Sequence, residues 1–492
     1  MDSKFKYSML AGLAAALAVI PVKAYFYKPE KISGEALPDE KVNLDRFRKN
    51  LSDAIKIPTI ASKDPAKTEW APFEEFAAFL EERYPLIHKN LELVDVDCKG
   101  PRLYRWKGKD SSLDAIALLS HQDVVPISEG TLDDWTNPPF DGVDDGEFIW
   151  GRGALDMKNH LVAVMESVED LLEEGFVPER DVYICLGHNE EVMTSEFSGA
   201  VVMCDYFEKN NIRLDCVLDE GGAILPVNVK GVLNKNLAGV GVAEKGYADF
   251  EISVTAKGGH SSQAPNHTAL GHLADVIKDI ENHQFDAELS PMMMQLFDKI
   301  GRNCSYPVRL ITCNLKLLKP LLTKVMTYIP PAASLIRTTQ GVTMASGSPA
   351  PNVLPQKASV NVNVRIYPGE TIDDVTKHLR KVIKNKKAEI NVKPGWKNPS
   401  KISPTDSRSF RIIEEICMGM NSDNIVAPYL VMGGTDACHY ERVCENIYRY
   451  SPFLVNTGLL LTTHGTNERI PVSSMSDGVA FFKRFIRKAS EK

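Results

Sequence analysis

The sequence predicts an α/β protein: a mostly parallel sheet flanked by helices, with a smaller α+β unit inserted into it. Three observations predict this. Short apolar runs at Ala115–Leu119, Val182–Leu186 and Cys216–Leu218 alternate with helical stretches such as His160–Glu174 and Ala200–Lys209. Strands and helices in alternation build a sheet covered on both faces. Near Gly241 the texture changes. Ala248–Ala256 and Ala358–Ile366 alternate with period two, as half-buried strands do, and helices follow at His267–Asn282 and Thr371–Lys384. After Asn398 the first texture resumes, with a strand expected at Leu459–Leu461 and a helix at Ser474–Arg487.

In chain order, residues 1–27 read as a hydrophobic leader and 28–43 as a polar linker with two prolines. Residues 44–242 form the first part of the large domain, opening with helical segments such as Phe73–Arg83. Residues 243–397 form the insertion, and 398–492 complete the large domain. Inside the insertion, residues 289–344 hold a long apolar helical stretch (NLKLLKPLLTKVM). The simpler expectation is that it thickens the core of the inserted unit. The alternative is an acyl-chain or membrane-facing role.

Tyr7 to Val22 carries no charge, with Lys4 and Lys6 before it and Lys23 after it. Two readings stay open. A cleaved signal peptide fits the basic start and the small-residue ending at Ala24. An uncleaved anchor fits too: sixteen helical residues span about 24 Å of a roughly 30 Å hydrocarbon core, and Tyr25–Tyr27 extends the run. Either reading sends the chain to a membrane or out of the cell.

Composition excludes other classes. The chain has 492 residues, 43% hydrophobic and 25% charged, with a net charge of −8, so nucleic acid is not an expected partner. Its nine cysteines are scattered, with no CxxC, which argues against a zinc knuckle or a dense disulfide scaffold. Cys185 and Cys216 lie within apolar runs and read as buried free thiols.

Chemistry gathers where strand-like runs end. His121 and Asp123 follow the run from Ala115. Asp156 follows Phe148–Leu155, Glu190 and Glu191 follow the run from Val182, Asp219 and Glu220 follow Cys216–Leu218, and His464 follows Leu459–Thr463. Residues just beyond parallel strands collect along one edge of the sheet, where ligands bind. Two histidines and four or more carboxylates on one edge repel each other without a cation. Such donors suit zinc or another first-row divalent metal. The surplus of donors suits two ions sharing a carboxylate.

The ordered set HQD, GRGALDMK, NEE, DEGG and HGTNE resembles the M20 family of dinuclear zinc peptidases and aminoacylases. It is most similar to the branch with carboxypeptidase S and the N-acyl-amino-acid hydrolases. The resemblance runs from about residue 45 to the C-terminus. It implies a zinc-peptidase-like catalytic domain, a ferredoxin-like lid and dimerisation domain at 243–397, and two zinc ions per chain. His121 would bind one ion and His464 the other, with Asp156 between them. Glu191 would complete one site and Asp219 the other. Asp123 would fix the tautomer of His121, and Glu190 would be the general base. The chain has Asn189 where the family usually has aspartate before the paired glutamates.

The resemblance extends to the insertion. His260, in GGHSSQAP, would stabilise the oxyanion, supplied by the partner subunit in dimeric relatives. Asn352 and Arg365 match positions that hold a substrate carboxylate. Gly434 and Thr435 lie in a substrate-side glycine loop. There the branch often carries an arginine soon after the aspartate. This chain has Ala437-Cys438-His439-Tyr440, which leaves Arg365 as the main carboxylate binder.

The expected function is zinc-dependent hydrolysis of the amide bond in small substrates with a free carboxylate, N-acyl amino acids or short peptides. The choice between N-acyl-amino-acid hydrolase and dipeptidase or carboxypeptidase stays open. A non-catalytic binding protein on the same fold would lose the base or a ligand, and every one is present. The expected partners are a small-molecule substrate, a membrane through the N-terminus, and a second copy through the lid.

Overall fold

The computed structural model describes residues 19–29, 37–192 and 198–492. Most of the expected leader, and part of the linker, lie outside the described residues. The large domain is built on a nine-stranded sheet. Ala115–His121 pairs in parallel with Val182–Gly187 on one side and Leu214–Asp219 on the other. Ile447–Arg449 adds to this run in parallel, and Leu233–Glu244 pairs in parallel with Asn424–Val431. Antiparallel strands, Glu92–Val94 with Arg102–Trp106 and the strand Ile224–Val229, finish the edges.

Every residue of Ala115–His121 and Val182–Gly187 is buried. That explains why these strands read as unbroken apolar runs: both faces are covered. Ile116 and Leu118 face one core, with the helices Leu44–Ile55, Lys158–Glu173 and Met475–Ala489. Ala117 and Leu119 face the other, with Gly199–Lys209.

The smaller unit is a four-stranded antiparallel sheet in the order Thr339–Ser346, Lys357–Ile366, Gly246–Thr255, Glu389–Val392. The helices Ala269–Asn282 and Ile372–Val382 pack on it. This order and connectivity are ferredoxin-like. Ala248, Phe250, Ile252 and Val254 point inward, which accounts for the period-two alternation.

Two expectations are corrected. The apolar segment inside the insertion does not thicken the core of the smaller sheet. Its helix Pro291–Asn303 packs on the strand Asn424–Val431, and Leu289, Met292, Met293, Leu296 and Met326 join the core of the large domain. An amphipathic helix requires an apolar surface but does not specify which sheet supplies it. Leu459–Leu461 is not a strand either. Asn456 caps a short helix, Thr457–Leu460, by accepting a hydrogen bond from the Leu459 N–H. Apolar runs this short do not distinguish strand from helix.

Candidate metal centre and cleft

His121 ends its strand fully buried. Its Nδ1–H donates to the backbone carbonyl of Asp123 at 2.9 Å, so Nε2 is the nitrogen turned towards the carboxylates, and its lone pair is the one a metal ion would take. Around Nε2 stand Asp156 Oδ1 at 3.2 Å, Glu220 Oε1 at 3.1 Å and Glu190 Oε2 at 4.0 Å. His464 Nε2 lies 3.0 Å from Asp156 Oδ2 and 3.1 Å from Glu191 Oε2. Asp156 therefore sits between two imidazoles, one on each carboxylate oxygen. Two groups, His121 with Glu190 and Glu220, and His121 with Asp156 and Glu191, each bring one donor atom per residue within 4.8 Å of the others.

Asp123 faces His121 Nδ1 as expected and holds the site in a second way as well. Its carbonyl accepts from the imidazole, its Oδ1 lies 3.4 Å from the same Nδ1, and its carboxylate also accepts from the N–H groups of Glu190 (3.2 Å) and Glu191 (3.1 Å). It thus pins the turn that presents both glutamates after Val182–Gly187.

Asp219 is not in the cluster. Its oxygens accept from the backbone N–H groups of Glu220 (2.8 Å) and Ala437 (2.9 Å). The next residue, Glu220, meets His121 instead. Successive residues leaving a strand point to opposite sides, and register decides which carboxylate reaches the centre.

Sequence reasoning missed Glu468, the last residue of HGTNE. It is fully buried. Its carboxylate accepts from the N–H groups of Gly153 (3.0 Å), Leu155 (2.8 Å) and Asp156 (3.1 Å), and from Arg152 Nη1 at 2.5 Å. One side chain fixes the whole loop that carries Asp156. Four residues earlier, His464 adopts a left-handed backbone, φ 59°. The pairing joins two motifs more than 310 positions apart, so no local pattern in the sequence marks it. Lys158, in GALDMK, is structural. Its buried ammonium donates to the carbonyls of Ala54 (2.9 Å) and Ile57 (2.5 Å) at a helix end.

Burial and crowding set the charges. Burial, with Asp156 nearby, pushes Glu220 up to about 8. Burial raises Glu190 well above the usual carboxylate range, and Glu220, Asp436 and Glu191 add to the rise. Asp436 is pushed up to about 8 by burial and by Asp219. Hydrogen bonds to Asp156 and Glu191 raise His464 to about 10. Asp156 is held low despite its burial, because both histidines bond to it. An excess of carboxylates over cations at one buried point is the electrostatic signature of a metal centre.

The centre opens into a cleft of about 440 Å³ whose walls include Glu190, Arg365, Trp396, Lys397, Gly434 and Thr435. Arg365 stacks over the Tyr247 ring at 4.9 Å, and no ion pair engages it among the described residues. Gly434 leaves room for Lys397: a Cβ there would lie 2.1 Å from Lys397 Nζ and would displace that ammonium. The Thr435 hydroxyl donates to buried Glu244 at 2.5 Å, so it braces the loop. His260 and Asn352 do not reach this cleft. They share a separate open concavity on the smaller unit, where the His260–Val353 pairing sets their positions.

Comparison with known proteins agrees with this architecture. Residues 117–488 match the model of peptidase family M20/M25/M40. The chain is 36% identical over 420 residues to the probable carboxypeptidase S-like 2 of Dictyostelium discoideum, covering 85% of this chain and 80% of that one. It is 29% identical over 494 residues to the N-fatty-acyl-amino acid synthase/hydrolase of Xenopus tropicalis, covering 98% and 94%. The crystal structure of an M20 family metallo-carboxypeptidase from Sulfolobus solfataricus superposes with a TM-score of 0.64 at 19% identity, covering 90% and 99%. The chain belongs to peptidase family M20 and is a metallohydrolase.

Proposed function

We propose that this chain hydrolyses the amide bond of N-acyl amino acids or short peptides that carry a free carboxylate, using two zinc ions. The observation that carries the reading is Asp156, with one oxygen on His121 and the other on His464, each histidine facing a further carboxylate. The donors fit. Imidazole nitrogens and carboxylate oxygens are zinc ligands, and Asp156 is placed to be shared. His121, Asp156 and Glu220 would hold one ion, and His464, Asp156 and Glu191 the other. Glu220 takes the place that sequence alone gave to Asp219. When bound, the ions lower the pKa of water and polarise the scissile carbonyl.

The chain's own residues do the rest. Glu190, kept basic by burial among other carboxylates, removes the proton from the attacking water and hands it to the leaving amine. Arg365, placed over Tyr247 at the cleft wall, pairs with the substrate carboxylate through its two-pronged guanidinium. Trp396 offers an apolar wall beside it. His260 and Asn352, exposed on the smaller unit, would serve the site of a second copy.

The test is a substrate panel: N-acetyl amino acids, long-chain N-acyl amino acids and dipeptides, each with a carboxamide-capped counterpart. Release of free amino acid from uncapped members, abolished by a chelator, is the expected result. The preferred member chooses between acyl-amino-acid hydrolase and peptidase. Equal cleavage of capped and uncapped members would remove the carboxylate requirement. No cleavage of any member after zinc is supplied would overturn the reading.

A further inference from the structure

The helix Leu315–Thr327 contains seven leucine, valine and methionine residues, yet only Met326 is buried. Leu317, Leu321, Val325 and Tyr328 fall three or four apart, which puts them on one face. That face is open to solvent, with Leu317 79% and Tyr328 76% exposed. Ile311 and Ile329, just before and after the helix, are exposed as well. A surface this apolar marks a contact site.

The N-terminal segment packs on the stretch that leads into this helix. Residues 19–26 are helical, and Ala24 and Tyr27 pack against Leu310 and Cys313. Tyr306 Oη donates to the Pro21 carbonyl at 3.1 Å, and Lys23 Nζ donates to Asn314 Oδ1 at 3.0 Å. This segment also exposes its apolar side chains, among them Val22, Tyr25 and Phe26, the last 74% exposed. Val19 continues directly into the uncharged run that begins at Tyr7.

Charge completes the pattern. Tyr306–Arg337 carries Arg309, Lys316, Lys319, Lys324 and Arg337 and not one Asp or Glu. Residues 3–29 carry Lys4, Lys6, Lys23 and Lys28, again without an acid. Both stretches stand out in a chain of net charge −8.

We propose that the face formed by Leu317, Leu321, Val325, Tyr328 and the adjoining residues 19–27 rests on an anionic phospholipid bilayer. The helix lies in the plane of the headgroups. Its apolar side chains dip towards the acyl region, and Lys316 and Lys324 reach the phosphates, while Lys319 is held by Glu288 at 3.0 Å. Among the described residues no helix is long and apolar enough to cross a membrane, and this contact needs none. It is a second attachment beside the N-terminal run, and together they would fix how the protein stands on the surface.

The test uses the full chain with vesicles of phosphatidylcholine and phosphatidylserine, some made with brominated acyl chains. A tryptophan is introduced as Leu321→Trp and, as a control, as Leu132→Trp in an exposed segment of the large domain. The fluorescence added by Leu321→Trp should be quenched by brominated vesicles, and that added by Leu132→Trp should not. In a second variant, Leu317→Ser with Leu321→Ser and Val325→Ser, binding should weaken by more than about tenfold, with the thermal melt unchanged. Equal quenching at 321 and 132, or undiminished binding of the triple variant, would show that the N-terminal run alone attaches the chain, and would overturn the proposal. A Leu321→Trp signal already shielded without lipid and insensitive to vesicles would mean that the chain's own N-terminus or a second copy covers the face. That result would overturn it equally.

Discussion

Glu220 places Oε1 3.1 Å from His121 Nε2. Asp219, one residue earlier, spends both oxygens on backbone N–H groups. Neighbouring carboxylates thus take different work, one at the centre and one bracing the loops around it. Glu220→Gln is expected to weaken metal binding by about ten- to a hundredfold or more, leaving close to one ion per chain. Asp219→Asn should keep both ions but lose about 1–3 kcal/mol of stability, because a buried N–H loses its acceptor. Metal analysis and denaturant melts on the two variants separate the roles. The reverse pattern would return Asp219 to the centre.

Glu190→Gln keeps the shape and removes the basic oxygen. Turnover should fall by at least about a hundredfold, within the range usual for a general base, while metal content stays near two. A variant with normal turnover would leave the proton transfer to another group.

Glu468 acts on the reaction through Asp156 alone. Glu468→Ala leaves Arg152 buried without its partner and three loop N–H groups unpaired. A loss of about 3–5 kcal/mol is expected, as for one partner of a buried pair. Glu468→Gln, which retains one carbonyl acceptor, should recover part of that loss. In Glu468→Gln kcat should fall with KM little changed, since no substrate contact is removed. A rise in KM alone would place Glu468 in substrate binding instead.

Arg365 has no ion pair among the described residues and stands on the cleft wall, so Arg365→Ala should raise KM for carboxylate substrates by about ten- to a hundredfold, the value of a charge-assisted hydrogen bond of roughly 1.5–3 kcal/mol. It should change little for carboxamide-capped analogues. Equal effects on both would make Arg365 a scaffold residue.

His160 gives a pH dependence. It is buried against Phe482, with Ser451 Oγ 3.4 Å from Nδ1, and burial pulls its pKa down to about 3. The unfolded chain takes up this proton near pH 6.5, before the folded chain does. Stability from neutral His160 is therefore full above about pH 6.5 and falls as pH drops towards 3. The melting temperature should decline between pH 7 and pH 5, and less steeply in His160→Gln. Parallel slopes would assign the acid sensitivity to other groups.

Much of this was legible in the sequence because burial writes itself into pattern. Ala115–His121 reads as a strand since both faces are covered, and Gly246–Thr255 reads as an alternating strand since one face is. The grouping of His121, Asp156, Glu190, Glu191 and His464 could be read from their places after apolar runs. What could not be read depends on long-range geometry. Asp219 and Glu220 differ only in which side of the strand end they leave from. The partners of the Glu468 carboxylate, Arg152 and the loop to Asp156, lie more than 310 positions away. Pro291–Asn303 shows its apolar stripe plainly, but nothing local says that the large sheet rather than the small one covers it.

The central claim is a centre of two ions bridged by Asp156. The most direct measurement is metal content per purified chain, for the native sequence and for Asp156→Asn. The account predicts two zinc equivalents in the native chain and fewer than one in Asp156→Asn, because both sites lose the carboxylate they share. A single equivalent in the native chain, or two retained in Asp156→Asn, would contradict it.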